Sequence, residues 1–171
     1  MPNANRALII GGGVAGPVLA LFLRRAGFAP EIFEATSGPT AASGALGLAP
    51  NGMNVLAAAD LVEQVRDAGV TASKWMFENQ AGKVLAWCPA GDPARHGQPT
   101  VMIGRADLHR VLVEQVQEEG IPMHFNKSFV SLSDTPGKSV VAQFSQPFTT
   151  FPAYLSGVSV GRSSSAMLLT R

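Results

Sequence analysis

The stretch LIIGGGVAGPVLALFLRRAG, residues Leu8 to Gly27, decides the fold. Ala7 to Ile10 is a short apolar run that stops at three glycines, the pattern of a buried parallel strand. From Val14 to Ala26 the apolar residues Val18, Leu19, Leu21, Phe22 and Leu23 recur at helical spacing. Gly27 predicts the stop of that helix as its C′ residue, with Arg24 and Arg25 at the negative end of the helix dipole. Glu31 to Ala35 (EIFEA) reads as a second strand, so residues 7–35 form one β-α-β unit.

Within this unit Gly11, Gly13 and Gly16 spell G-x-G-x-x-G. The pattern alone is weak, because glycine turns that serve only packing are common. Here it follows a strand and opens a helix, and the second strand ends in an acid. Gly11 then makes the tight turn, Gly13 lets a pyrophosphate approach the backbone, and Gly16 lets helix and strand pack closely. Free N–H groups at the helix start, around Val14 and Ala15, hold the diphosphate. Glu34 lies 18 residues beyond Gly16, where the acid that binds a ribose hydroxyl is expected. The expected contact set of this unit is therefore Gly11, Gly13, Val14, Ala15, Gly16, Glu34 and Ala35. The fingerprint does not separate NAD from FAD, since both carry an adenosine diphosphate handle.

Downstream, Thr36 to Ala49 is small and turn-rich, as suits a loop passing close to a ligand. Asn51 to Ala68 predicts one amphipathic helix with Val55, Leu56, Leu61, Val62 and Val65 on one face. Trp75–Asn79 and Lys83–Cys88 form a hairpin around QAG, and Ala90–Gly97 reads as a loop. Arg105 to Glu119 predicts a helix ended by Gly120, with Leu108, Leu112 and Val116 spaced at four. Met123–Phe125, Phe129–Leu132 and Val140–Phe144 are expected strands, with DTPGK as the turn before the last.

Composition bounds what such a chain can be. At 171 residues it holds one domain with at most a small appendage, and 46% hydrophobic with 15% charged residues describes a foldable chain. A net charge of +1 gives no electrostatic reason to expect nucleic acid or an anionic membrane as partner. The single Cys88 excludes an internal disulfide and a multi-thiolate metal site, and is expected to serve packing. His96, His109 and His124 are scattered without metal or triad spacing, and His109 is expected to face solvent. The start MPNANRALIIGGG has no basic n-region followed by a long apolar stretch, and no apolar run approaches a membrane span. A cytoplasmic protein is expected.

SGALGLAPNGMNVL (Ser43–Leu56) followed by IGRADLHRVLVEQ (Ile103–Gln115) resembles the aromatic-hydroxylase family of FAD-dependent monooxygenases, the p-hydroxybenzoate hydroxylase-like enzymes. That family places a glycine-rich segment and a helix after the second strand, then an R-x-x-L-x-x-x-L helix start, here Arg105, Leu108 and Leu112. The resemblance runs from residue 7 to about residue 144. It implies FAD as cofactor with NAD(P)H as co-substrate, Arg105 on the FAD diphosphate or ribityl chain, and Glu34 on the adenosine ribose. It also implies that the loop Gly44–Asn51, with Gly47, passes near the flavin. A guanidinium suits a diphosphate because its planar fork donates two parallel hydrogen bonds. As a plain surface residue Arg105 would stand at the positive end of a helix dipole at a small cost, which favours an anionic ligand there. The fold implied is a Rossmann-like α/β FAD-binding domain with a parallel sheet, incomplete at the C-terminal end.

The tail from Phe144 to Arg171 carries two charged residues, Arg162 and Arg171, and no acid. The family's later Gly-Ala-Asp-Gly and Gly-Asp-Ala-Ala-His-Ala segments do not occur in the chain. Read two bases later, however, the codon junctions from Ser165 to Arg171 permit Gly-Asp-Ala-Ala-His-Ala, and those from Arg162 to Ser165 permit three valines. The expected organisation is thus a partial FAD-binding domain over residues 1–144 and an atypical tail over 145–171, read as out-of-frame translation. The alternative is a divergent ending with Ala153–Val160 as a last strand. The function expected is the FAD-binding portion of an NAD(P)H-using monooxygenase of an aromatic or similar small organic substrate, inactive alone, with self-association or a complementing carboxyl-terminal fragment as partner. One alternative is a non-catalytic FAD-binding fragment that needs a partner chain. Another is an NAD(P)-dependent dehydrogenase, disfavoured by the Arg105 helix and by the lack of a Tyr-Lys or His set, the only tyrosine being Tyr154.

Overall fold

The computed structural model describes residues 6–38, 44–133, 140–145, 151–153, 155–160 and 166–170. In chain order the elements are β1 (Arg6–Ile10), α1 (Ala15–Arg25), β2 (Ala29–Phe33), β3 (Ala45–Leu48), α2 (Pro50–Ala58), α3 (Val62–Ala68) and β4 (Gly69–Ala72). They continue with β5 (Lys74–Glu78), β6 (Val84–Pro89), α4 (Pro93–His96), β7 (Thr100–Gly104), α5 (Arg105–Glu118), β8 (Met123–His124), β9 (Phe129–Ser133) and β10 (Val140–Phe144). The last are β11 (Phe151–Ala153), β12 (Leu155–Val160) and β13 (Ala166–Thr170). The chain divides into two compact units, Met1–Thr40 with Leu112–Arg171, and Ala41–Val111.

The first unit is built on the predicted β-α-β. β1 lies parallel to β2 with Ile10 opposite Phe33, and β2 lies parallel to β8 with Ile32 opposite Met123. Ala7, Leu8, Ile9, Ile32 and Phe33 are buried, as expected of strands covered on both faces. β13 pairs antiparallel with β1, Ala7 opposite Leu169, and β12 pairs antiparallel with β13. The sheet order is β12-β13-β1-β2-β8, a parallel trio with an antiparallel flank. α1 ends as the sequence predicts: Gly27 has φ 84°, its N–H donates to Arg24 O, and the Phe28 N–H donates to Leu23 O. A second sheet, β11-β10-β9, meets this core through Ala142 and Phe144, which cluster with Leu8 and Phe33. β2 ends two residues earlier than expected, so Glu34 and Ala35 follow the strand rather than finish it. The DTPGK turn and Tyr154 lie outside the described residues.

The second unit carries an antiparallel sheet, β3-β7-β4, and the hairpin β5-β6. Its core includes Met53, Leu56, Leu61, Val65, Val101 and Ile103. Four expectations are corrected here. The segment read as a loop contains β3, whose ALGL pairs antiparallel with β7, Leu46 opposite Ile103. The single helix expected over Asn51–Ala68 is two helices, α2 and α3. Asp60 takes φ 58°, the Leu61 N–H donates to Leu56 O and the Asp60 N–H to Ala57 O, a helix stop with aspartate in the place usually given to glycine. Val55, expected on the buried face, is 46% exposed, while Leu56, Leu61 and Val65 are buried. His109, expected to face solvent, is buried, and Cys88, expected to pack, is exposed. The hairpin appears where predicted, with every residue of both strands exposed.

Candidate functional site

The turn after β1 places its three fingerprint glycines in three different settings. Gly11 has φ 99°, a backbone that side-chain-bearing residues rarely adopt, and its N–H donates to Phe33 O at 2.8 Å. A Cβ on Gly16 would run into the carbonyl oxygen of Gly11, so only glycine lets α1 begin so close to β1. Gly13 is exposed, and a Cβ there would meet nothing within 4 Å. The room beside it is open to a ligand. Val14 caps α1 with helical backbone and no side-chain hydrogen bond, and the first turn, starting at Ala15, holds no acidic residue. The first N–H groups of an α-helix have no partner within it, and together with the dipole they favour an anion.

Glu34 stands across this turn. Its Oε2 accepts the Gly12 N–H at 2.6 Å and its Oε1 accepts the Thr36 N–H at 2.9 Å. Burial alone would raise its pKa, but the hydrogen bonds from Thr36 and Gly12 outweigh that and hold the carboxyl below its ordinary 4.5. The group is therefore an ionised acceptor at neutral pH, with lone pairs left for hydroxyl donors. Gly12, missed in the sequence, matters as much as the three fingerprint glycines. A Cβ on it would lie 2.5 Å from Met123 Cε and 2.9 Å from Glu34 Cβ. The run of three glycines was the available signal.

A cavity of about 310 Å³ opens here, lined among others by Gly11, Gly13, Glu34, Ala35, Lys127 and Phe129. The structure thus brings Gly11, Gly13, Glu34 and Ala35 to one hollow, with Val14, Ala15 and Gly16 in the turn and helix start beside it. Lys127 and Phe129 were not foreseen; almost a hundred residues separate them from Glu34, and no local pattern marks them. They are brought in by backbone pairing, the Asn126 N–H donating to Thr36 O at 2.9 Å and the Lys127 N–H to Glu34 O at 2.8 Å.

Two expected site residues belong to the second unit. Gly47 lies on β3 opposite Met102 of β7, and a Cβ on it would be 3.3 Å from Met102 Sδ and 3.9 Å from Trp75 Cη2. Arg105 is the first residue of α5, its N–H donates to Gly44 O at 2.9 Å, and it is exposed. Among the described residues no three His, Cys, Asp or Glu side chains are grouped to hold a metal ion. Among them, too, no helix is long and apolar enough to cross a membrane.

The first unit suits an adenosine diphosphate group: an open glycine backbone and an uncapped helix start for the phosphates, and an ionised carboxylate for the ribose. Comparison with known proteins agrees. A family profile described as "FAD binding domain" matches residues 5–149. The 3-amino-4-hydroxybenzoate 2-monooxygenase of Streptomyces platensis is 34% identical over 119 residues, which cover 66% of this chain and 29% of that protein. The 3-hydroxybenzoate 6-hydroxylase 1 of Aquipseudomonas alcaligenes is 32% identical over 146 residues, covering 78% of this chain and 35% of that protein. The chain therefore spans about a third of the length of these curated relatives. Among solved structures, p-nitrophenol 4-monooxygenase from Pseudomonas putida superposes with a TM-score of 0.76 at 18% identity, over 86% of this chain and 38% of that one. An FAD and uric acid complex of HpxO from Klebsiella pneumoniae gives 0.74 at 18% identity, over 86% and 37%. At these identities the two structures speak for the fold.

Proposed function

Because the chain belongs to the FAD-binding domain family of the aromatic-hydroxylase-type flavin monooxygenases, we propose that it is the FAD-holding portion of an NAD(P)H-using hydroxylase of an aromatic or similar small organic substrate. The observation that carries this reading is the convergence of Gly11, Gly13 and Glu34 on one cavity, in the turn that leads into the uncapped start of α1. In this role Gly11 to Gly16 seat the diphosphate, Glu34 accepts from the ribose hydroxyls, and Arg105 neutralises phosphate or ribityl oxygens. Gly47 keeps β3 free of a side chain beside the ring. FAD, when bound, supplies the redox and oxygen chemistry, and the protein supplies binding and orientation.

Turnover by this chain alone is not expected, since a hydroxylase needs a dry, enclosed pocket over the reacting ring and the matched relatives are about three times as long. The alternative, a non-catalytic FAD-binding fragment acting with a second chain, is favoured by one feature. Trp75, Met76, Phe77, Leu85 and Trp87 of the β5-β6 hairpin are all exposed, which suits self-association or a complementing carboxyl-terminal chain. The out-of-frame origin of residues 145–171 belongs to the same proposal. Sequencing the coding DNA tests it, and codons at Ser165–Arg171 unable to spell Gly-Asp-Ala-Ala-His-Ala end it.

The visible spectrum of the purified protein tests the cofactor. A flavin-to-protein ratio near one supports the proposal, and a colourless protein that takes up NADH but not FAD overturns it. Hydroxylation of an aromatic acid by the chain alone would overturn the expected inactivity.

A further inference from the structure

The β5-β6 hairpin guards one of its two edges and leaves the other open. Among the described residues β5 and β6 pair only with each other, so each strand turns a row of backbone N–H and C=O groups outward. The two edges are not alike. Phe77 stands opposite Ala86 but Glu78 opposite Val84, so the extra residue, Leu85, bulges from β6. β6 also ends in Pro89, which has no N–H to give. A bulge and a proline are devices that keep an edge strand from pairing, and both sit on β6. β5 has neither, and all 5 of its residues are exposed.

The sequence of β5 also fits its own reverse. KWMFE carries a cation at one end, an anion at the other and only apolar residues between them. Laid antiparallel against a second copy and centred on Met76, it sets Lys74 opposite the partner's Glu78 and Trp75 opposite the partner's Phe77. Residues directly opposite in an antiparallel pair share a face, so both charge pairs flank the two Met76 side chains on one face. The aromatic pairs share the other. A slip of one residue in either direction removes both charge pairs. The Lys74 ammonium lies over the Trp87 ring at 4.1 Å, and a cation so placed can still donate an N–H to a carboxylate.

We propose that two copies of this chain dimerise edge to edge through β5, about a two-fold axis at Met76. The order of strands is then β6-β5-β5-β6. Two ribbons that are each marginal in water become one larger sheet, and the guarded β6 edges stand outside, so assembly stops at the dimer. This names the occupant for the self-association reading above, and it does not depend on FAD being bound.

Sedimentation of the full chain over a range of concentrations tests it. Wild type should pass from monomer to dimer and no further. Lys74→Glu and Glu78→Lys each set like charges opposite one another twice, and each should weaken the dimer by about fivefold or more. Glu78→Lys leaves the Lys74–Trp87 contact in place, so loss of that contact does not account for its effect. Lys74→Glu with Glu78→Lys in one chain restores both charge pairs and should regain most of the wild-type affinity. Mixing the two single variants should give mixed dimers tighter than either forms alone, because both pairs are again of opposite sign. Single variants that dimerise as wild type does, or a mixture that gains nothing over its components, refute the β5 register. A wild-type chain that stays monomeric at every concentration, or grows beyond dimers, refutes the proposal outright. Flavin titration of the same samples reads the cofactor separately: a dimer of this behaviour that takes up no FAD upholds this inference and overturns the reading above.

Discussion

The carboxylate of Glu34 and the amide of Gly12 form one clasp: Oε2 takes the Gly12 N–H at 2.6 Å, while Oε1 of the same group takes the Thr36 N–H at 2.9 Å. The acid expected to recognise a ribose is also what shapes the turn expected to recognise a diphosphate. Substitution at Glu34 should therefore disturb both ends of the nucleotide.

This gives the first prediction, on pH. The folded-state pKa of Glu34 lies below its ordinary 4.5, because the Thr36 and Gly12 hydrogen bonds outweigh the effect of burial. A depressed carboxylate contributes stability that is present above the unfolded value and is lost as pH falls through the folded one. The Glu34 contribution to FAD affinity should accordingly be flat from neutral pH down to the ordinary carboxylate range and fall only below it. Glu34→Gln should abolish this dependence and weaken FAD about tenfold or more at pH 7, because one amide N–H₂ would then face a backbone N–H donor. Equilibrium titration from pH 8 down to about pH 3, below the ordinary carboxylate range, checks both statements.

The second prediction separates glycines that serve packing from those that serve the ligand. Gly16→Ala drives a methyl into the Gly11 carbonyl, and should lower thermal stability by about 1–3 kcal/mol as well as removing FAD. Gly13→Ala meets nothing within 4 Å, so its melting temperature should stay within error of wild type while FAD affinity falls. Gly12→Ala is intermediate. Its main obstacle is the flexible end of Met123, so Gly12→Ala with Met123→Ala should recover part of the stability that Gly12→Ala alone loses. Thermal melts with and without FAD distinguish the three.

The third prediction concerns Arg105, exposed at the first position of α5. As a phosphate or ribityl ligand it should tolerate Arg105→Lys poorly, since an ammonium keeps the charge but loses the planar fork. Both Arg105→Lys and Arg105→Ala should leave the melting temperature of FAD-free protein unchanged and weaken FAD, alanine more than lysine. Equal FAD affinity in all three proteins would make Arg105 an ordinary surface residue.

The parts of the fold legible in the sequence were those with strong local signals. The β1-α1-β2 unit, the hairpin, and the ends of α1 and α5 were announced by apolar periodicity and by Gly27 and Gly120, whose φ values of 84° and 65° are those of helix stops. The sheet β3-β7-β4 was not legible. Its edge strands, ALGL and GVTA, are four residues long, contain glycine, and owe their conformation to pairing with β7 rather than to their own preference. The break at Asp60 was hidden because aspartate there does what glycine usually does. At the site, the β1-β2 side was written in consecutive residues. The Lys127–Phe129 side depends on strand order, which no short window of sequence contains.

The last prediction follows from the hairpin. An isolated two-stranded ribbon is marginal in water, and here Phe77, Leu85 and Trp87 are 53%, 64% and 53% exposed. The Lys74 ammonium stands over the Trp87 ring at 4.1 Å, a contact worth about 0.5–1 kcal/mol at an exposed position. The chain should therefore associate as its concentration rises, through this surface. Phe77→Lys with Leu85→Lys should shift sedimentation toward monomer and leave FAD affinity intact, since neither residue belongs to the proposed cofactor contacts. The melting temperature should change little, because burial lost from two exposed side chains is small. Association that persists unchanged in the double variant would locate the sticky surface elsewhere and remove the hairpin as the place where a second chain docks.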